Sequence, residues 1–268
     1  MSPASANRTE GASRAGRAQP PGALPTFAHQ IRYDLLSQVR NPAAMFFSLG
    51  LPLIFLVTFT LIGGDWAETA GYYTPATMTI AIVTGTMTNL AITLSYLREY
   101  GQLKRLQLLP VPRSALLGSR MAAACVLALA GVAVVAVFSA AVYDTTPEQP
   151  GRLAAAILLL GVAGSVLGVA LTAVIPSENA ASPIANALVL PLLMISGGFF
   201  PLDGAPEWVR TVSSLLPLEP GLSAAVDAYR GACSWSDIGY AALVTGAWTA
   251  ATAALGVRFF SWTPRHRR

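Results

Sequence analysis

Six long apolar runs, near residues 44–63, 72–97, 119–142, 153–175, 183–200 and 238–258, constrain this chain more than any other feature in it. The hydrocarbon core of a bilayer takes about 20 apolar residues per helix. Charged residues make up only 11% of the chain and hydrophobic ones 54%, whereas a soluble domain carries about 25% charged residues. The predicted fold class is therefore an all-α membrane protein with six transmembrane helices. Pro52, Pro75 and Pro191 stand inside the runs, where neighbouring helices can re-satisfy the backbone groups that proline frees. The fifth run is the shortest and ends in Ser196-Gly197-Gly198-Phe199-Phe200-Pro201, so it is expected to break rather than cross cleanly.

Orientation follows from the basic residues, which favour the cytoplasmic side. With the N-terminus inside, fourteen of the 17 basic residues are cytoplasmic and only Arg152, Arg210 and Arg230 lie outside. Four acidic residues lie inside and nine outside. An even number of spans returns the basic C-terminus to the cytoplasm, which places the chain in the cell membrane with both termini cytoplasmic. Residues 1–25 are small, polar and rich in Pro and Gly, a composition that reads as a disordered tail and not as a signal peptide. The expected organisation is that tail, a transmembrane domain over 26–262, and a basic tail over 263–268.

Three stretches outside the runs carry pattern. Phe27, Ile31, Leu35 and Val39 recur at helical spacing with Arg32, Asp34, Gln38 and Arg40 between them, as in an amphipathic helix lying in the membrane interface. The cytoplasmic segment from Arg98 to Arg113 repeats leucines around Glu99, Lys104 and Arg105 until Pro110 and Pro112 stop it. Such a segment is either a handle for a cytoplasmic partner or a solvated connector. On the far side, Trp208, Val212 and Leu215 or Leu216 mark a short helix beginning after Pro206, and Leu222, Val226 and Tyr229 mark another after Pro220-Gly221. Both are too short to span. They are either partly re-entrant, with their backbone shielded by protein, or a loop resting on the interface with Trp208 and Trp235 as anchors.

Two polar faces interrupt the apolar runs. Thr79, Thr86, Asn89 and Thr93 fall at i, i+7, i+10 and i+14 of the second, and Asn179, Ser182 and Asn186 at i, i+3 and i+7 near the fifth. Such faces line a substrate path or hydrogen-bond between packed helices at about 0.6 kcal/mol each; threonine's habit of bonding its own helix favours packing.

Several chemistries are excluded. No Asp, Glu, Lys or Arg sits in the middle of a run, whereas proton- and ion-coupled carriers keep an ionisable group there. No GxxxxGK(S/T) phosphate loop, HExxH or GxSxG occurs, so the chain is not expected to hydrolyse ATP by itself or to carry catalytic residues. Cys125, Cys233, His29 and His266 are scattered, which predicts neither a disulfide framework nor a metal site.

Taken in order, these features resemble the ABC-2 type permeases, the membrane subunits of bacterial ABC exporters such as the daunorubicin-resistance permeases. The resemblance rests on Arg40-Asn41-Pro42-Ala43 closing the first amphipathic helix and on Arg98-Glu99-Tyr100-Gly101-Gln102-Leu103-Lys104-Arg105-Leu106. It rests further on Ser196 to Leu202 followed by Pro206-Glu207-Trp208 and Leu215-Leu216-Pro217-Leu218. Tyr100 stands where many relatives carry a charged residue before the glycine. The resemblance implies an N-terminal interfacial connecting helix (Phe27, Ile31, Arg32, Leu35, Arg40) and a cytoplasmic coupling helix (Glu99, Gly101, Leu103, Lys104, Arg105, Leu106) seated on a separate P-loop ATPase subunit. It also implies a translocation path along the second and fifth membrane helices (Thr79, Thr86, Asn89, Thr93, Asn186). Phe199, Phe200, Pro201 and Trp208, with two short re-entrant helices before the last span, would form the outer gate. ATP and Mg would be bound by the ATPase subunit and no cofactor by this chain. The partners implied are that ATPase, a second permease chain (a homodimer or a similar paralogue) and membrane lipid, with no nucleic acid. The expected cargo is an amphipathic or hydrophobic small molecule such as a drug, antibiotic or lipid. A lipid-linked glycan exporter, or an ATP-independent carrier or scaffold, is the alternative.

Overall fold

The structure is a computed structural model and describes residues 46, 50–64, 66–101 and 113–259. Helix α1 is Leu51–Gly63, α2 is Trp66–Val83, and a π turn over Thr84–Thr88 joins α2 without a break to α3, Asn89–Glu99. Then come α4 (Arg113–Tyr143), α5 (Pro150–Leu171), α6 (Glu178–Ile195), two short helices α7 (Glu207–Ser214) and α8 (Glu219–Tyr229), and α9 (Trp235–Phe259). Among the described residues there is no strand. Among the described residues, four stretches are long and apolar enough to cross a membrane: Glu68–Glu99, Leu117–Tyr143, Pro150–Leu171 and Glu178–Ile195.

Each run of the sequence has become a helix, but the ends have moved. The fifth run, read as 183–200, is a helix over Glu178–Ile195. Its stop is a Schellman turn: Gly197 N–H donates to Met194 O at 3.2 Å and Gly198 N–H to Leu193 O at 2.8 Å, with Gly197 at φ +85°. Glycine reaches that left-handed conformation without the Cβ clash other residues meet. The second short helix was expected after Pro220-Gly221 and instead starts at Glu219, because proline in a first turn lacks only an N–H that has no partner there anyway.

The core lies where α8 packs against α2, α5 and α9. Leu222, Ala225, Val226 and Tyr229 of this helix and Leu218 at its N-cap are buried, as are Met78, Ile82 and Leu160 of its neighbours. The backbone of α8 is thus shielded by protein, whereas α7 keeps Trp208, Val212 and the adjoining Leu215 exposed. Side chains of α9 hold the turn between the two short helices: Trp248 Nε1 donates to Leu215 O at 2.7 Å and Thr245 Oγ1 to Pro217 O at 3.0 Å. Leu215 is the C-cap of α7, where a carbonyl has no partner within its own helix.

Close packing surrounds the π turn. Gly161, Gly164 and Gly168 line one face of α5 at i, i+3 and i+7. A Cβ on Gly161 would stand 3.2 Å from the Ile82 side chain, one on Gly164 would strike Thr86 Oγ1, and one on Gly168 would lie 2.6 Å from Met87 O. From the other side, a Cβ on Gly85 would lie 2.7 Å from that of Ala128 in α4. Small residues let helix backbones approach this closely, the arrangement that membrane helices use to associate.

Candidate functional site

The end of α3 is tied to the turn between α5 and α6. Arg98 is 1% exposed; its Nη1 donates to Thr172 O at 2.8 Å and its Nη2 to Ile175 O at 2.6 Å. Both carbonyls lie just past the end of α5, where the helix dipole favours a cation. Beside this contact, Tyr100 packs on Tyr96 with ring centroids 4.4 Å apart and its hydroxyl bonds the carboxylate of Glu178, the first residue of α6. That bond raises the phenol above its usual pKa. Gly101 has φ +67° and its N–H donates to Arg98 O, so the chain leaves α3 through a left-handed turn. Glu99 is half-buried at the same end. Leu103, Lys104, Arg105 and Leu106 lie outside the described residues, as do Phe27, Ile31, Arg32, Leu35 and Arg40. The sequence reading used Arg98 as a cytoplasmic charge and as the first residue of the loop motif, and gave it no role of its own. Its burial against backbone carbonyls from a different helix pair left no local signal.

The four polar residues of the second run do not share one face. Thr79 and Thr86 are fully buried and donate to Pro75 O and Ile82 O of their own helix. A π turn carries one residue more than the α-helical turn it replaces, which rotates the succeeding turns of the helix by about 100°. Asn89 and Thr93, beyond it, are partly exposed, and Thr93 Oγ1 bonds Asn89 Oδ1 at 3.0 Å. Asn186 is exposed on α6 and reaches Ser182 Oγ at 3.4 Å. α6 itself buries one narrow stripe, Ala181, Ala185, Val189 and Leu193, so the face carrying Asn179, Ser182, Asn186, Leu190 and Met194 is left open.

At the opposite end of α6, Phe199 meets Phe55 and Phe59 edge-on at 5.8 and 6.2 Å, and Phe200 meets Phe59 at 6.2 Å. Pro201 and Trp208 are exposed. Tyr72 OH donates to Gly197 O at 2.6 Å, fixing the Schellman turn to α2. Next to it lies a chamber of about 320 Å³ bordered by α2, the end of α6, α7 and α8. Asp203, Glu219, Asp227, Arg210 and Arg230 all line it. All five fall within residues 203–230, on α7, α8 and the segments next to them, but at spacings that no motif rule assembles. Among the described residues, no cluster of three or more His, Cys, Asp or Glu is placed to hold a metal ion.

Burial, then the neighbouring Asp227, raises the Glu219 carboxyl above its ordinary range. Burial likewise raises Asp227, with Asp237 adding to it and Arg230 opposing. An acid with a raised folded-state pKa holds its proton more tightly folded than unfolded, so stability falls as pH rises above the ordinary carboxylate value. Thermal unfolding across a pH series is expected to show this negative slope, and Glu219→Gln to flatten it. An unchanged slope in that variant would place the dependence elsewhere.

Compared with known families, the chain matches the model described as ABC-2 type transporter over residues 27–229. No curated protein matches it.

Proposed function

The chain belongs to the ABC-2 type transporter family, and from that premise we propose that this multi-pass membrane permease component is an exporter subunit driven by a separate P-loop ATPase. In this reading six helices span the bilayer with both termini cytoplasmic, and α1 and α9 complete the four long apolar spans. Two permease chains pair across α6, and the path for an amphipathic or hydrophobic small molecule runs between them. The loop from Glu99 to Leu106 sits on the ATPase and the helix from Phe27 to Arg40 beside it. Thr79 and Thr86 are enclosed in the protomer, so the polar groups left for a path are Asn89, Thr93 and Asn186. Phe199, Phe200, Pro201 and Trp208 close its outer end. ATP and Mg belong to the partner; this chain contributes a lever and a path, with no bond-breaking chemistry of its own.

One observation carries the reading. The segment proposed to meet the ATPase follows directly on Arg98, and Arg98 and Tyr100 are bonded to the turn before α6 and to its first residue, the helix whose outer face is open. A displacement of the loop is thereby delivered to the helix that borders the proposed path. The test is to purify the tagged full-length chain from its native membrane, identify what accompanies it, and assay ATP hydrolysis. A stoichiometric P-loop ATPase is expected. The double charge reversal Lys104→Glu, Arg105→Glu is expected to uncouple hydrolysis from export or to release the ATPase while the chain still inserts. A chain that emerges alone after gentle crosslinking, or a reversed variant that exports fully, overturns the assignment.

A further inference from the structure

A groove of about 280 Å³ runs between α4 and α5 and takes no residue from α6 or from the charged chamber. Its floor is closed: Ile82 and Gly161 are buried, and a Cβ on Gly161 would stand 3.2 Å from the Ile82 side chain and 3.6 Å from Cys125 Sγ. Its walls are accessible. Met121, Ala122, Cys125 and Leu129 of α4 are half-buried, and Leu158 and Val162 of α5 are 50% and 58% exposed. The polar side chains of the wall are bonded within the protein. Cys125 Sγ lies 3.4 Å from Gly161 O and 3.3 Å from Ser165 Oγ, and Ser165 Oγ donates to Gly161 O at 2.8 Å. The surface offered to an occupant is therefore apolar.

Position decides what that occupant is. Both walls belong to stretches long and apolar enough to cross a membrane, so the groove faces hydrocarbon and not water. On α4 it begins at Met121, one residue past Arg120, the last charge before Asp144. It ends at Leu129, about 12 Å further along the helix axis. One leaflet supplies about 15 Å of the hydrocarbon core, so the groove has the length of one leaflet's tails. We propose that it seats a single acyl chain of a phospholipid whose headgroup lies level with Arg120. Lipid tails are as apolar as leucine, so no hydrophobic effect holds the chain there. Dispersion does: a tail on a convex helix face touches protein on one side, whereas a tail in this groove touches α4, α5 and the floor. A polar molecule would lose its hydrogen bonds in such a place. A helix of a second copy, about 10–12 Å across, is too broad to lie in it.

The site concerns one protomer and needs no ATPase, so its failure and that of the permease reading are separable. The probe is phosphatidylcholine with a diazirine midway along one acyl chain, added in trace to phosphatidylcholine nanodiscs that hold the full-length chain. After illumination and digestion, mass spectrometry maps the labelled residues. Labelling at Met121, Cys125 and Leu158 is expected to exceed that at Leu243 several-fold, although Leu243 on α9 is 70% exposed. Ala122→Phe and Val162→Phe each put a ring into the groove from its open side. Both are expected to bring the labelling down to the Leu243 level with an unchanged melting temperature, and either one suffices if the other folds poorly. Labelling that follows exposure alone would mean ordinary contact with surrounding lipid and would overturn the site. Excess labelling that persists in a folded, filled variant would overturn it as well. Copper-phenanthroline oxidation in native membranes addresses a different occupant. No dimer linked through Cys125 is expected, and one that forms and is lost in Cys125→Ser would put a second copy on the groove instead of a lipid.

Discussion

Gly168→Ala is expected to melt roughly 3–10 °C below the wild-type chain, a loss of about 1–3 kcal/mol from overpacking. The added methyl would stand 2.6 Å from Met87 O and 2.9 Å from Met87 Cα. Both are backbone atoms of the π turn, so no side chain can swing aside to relieve the clash. Relief requires α5 to back away from the turn, and that also opens the contacts of Gly161 and Gly164. Ala is otherwise the better helix former by about 1 kcal/mol, so any observed fall understates the steric cost. Gly246→Ala is the matched control: it lies inside α9, where an added Cβ meets nothing within 4 Å, and it is expected to melt slightly higher than wild type. Thermal unfolding in detergent, read as the loss of a monodisperse peak on heating, measures both. Equal melting of Gly168→Ala and wild type would mean that α5 does not approach Met87 as closely as the structure has it.

The same region shows why some of the molecule could be read from sequence and some could not. Apolar length is a local property, so the six runs became helices. The break after Ile195 was legible for the same reason, since Gly197-Gly198 supply the left-handed turn that ends a helix whatever surrounds it. The π turn is not local. Thr84 to Thr88 read like any threonine-rich membrane segment, and the extra residue is stabilised by close-packed faces of α4 and α5 that belong to other runs. Once it is present, the 3.6-residue count that placed Asn89 and Thr93 on one face with Thr79 loses its phase. Threonine's preference for its own helix did predict the bonds of Thr79 and Thr86. Gly161, Gly164 and Gly168 stand at i, i+3 and i+7 in the sequence, but nothing in it says which helix they meet. The charged chamber was illegible for a different reason: Glu219, Asp227 and Arg230 lie on or just past α8, and only folding brings them to one chamber with Asp203, Arg210 and the end of α6.

Arg98 offers the sharpest separation of fold from function. Arg98→Ala removes two charge-assisted hydrogen bonds and leaves Thr172 O and Ile175 O beside a buried gap, a cost of about 3 kcal/mol or more; poor recovery of folded protein is expected. Arg98→Lys is the informative variant. It keeps the charge and most of the stem, but a single ammonium is a compact donor and cannot reproduce the planar fork that reaches two carbonyls at once. That variant is expected to fold with a modestly lowered melting temperature and to bind the ATPase normally, because its contacts lie on the α5–α6 turn and not on the loop beyond Gly101. If the link from the loop to α6 transmits the stroke, export per ATP hydrolysed should drop several-fold in Arg98→Lys while hydrolysis continues. A purely structural role would lower both together in proportion to the folded fraction. Tyr100→Phe tests the second strand of the same link, since it deletes the bond to Glu178 and leaves the ring stacked on Tyr96. Combined with Arg98→Lys it should weaken coupling beyond either change alone. Full coupling in the double variant would show that α6 takes its motion from another contact.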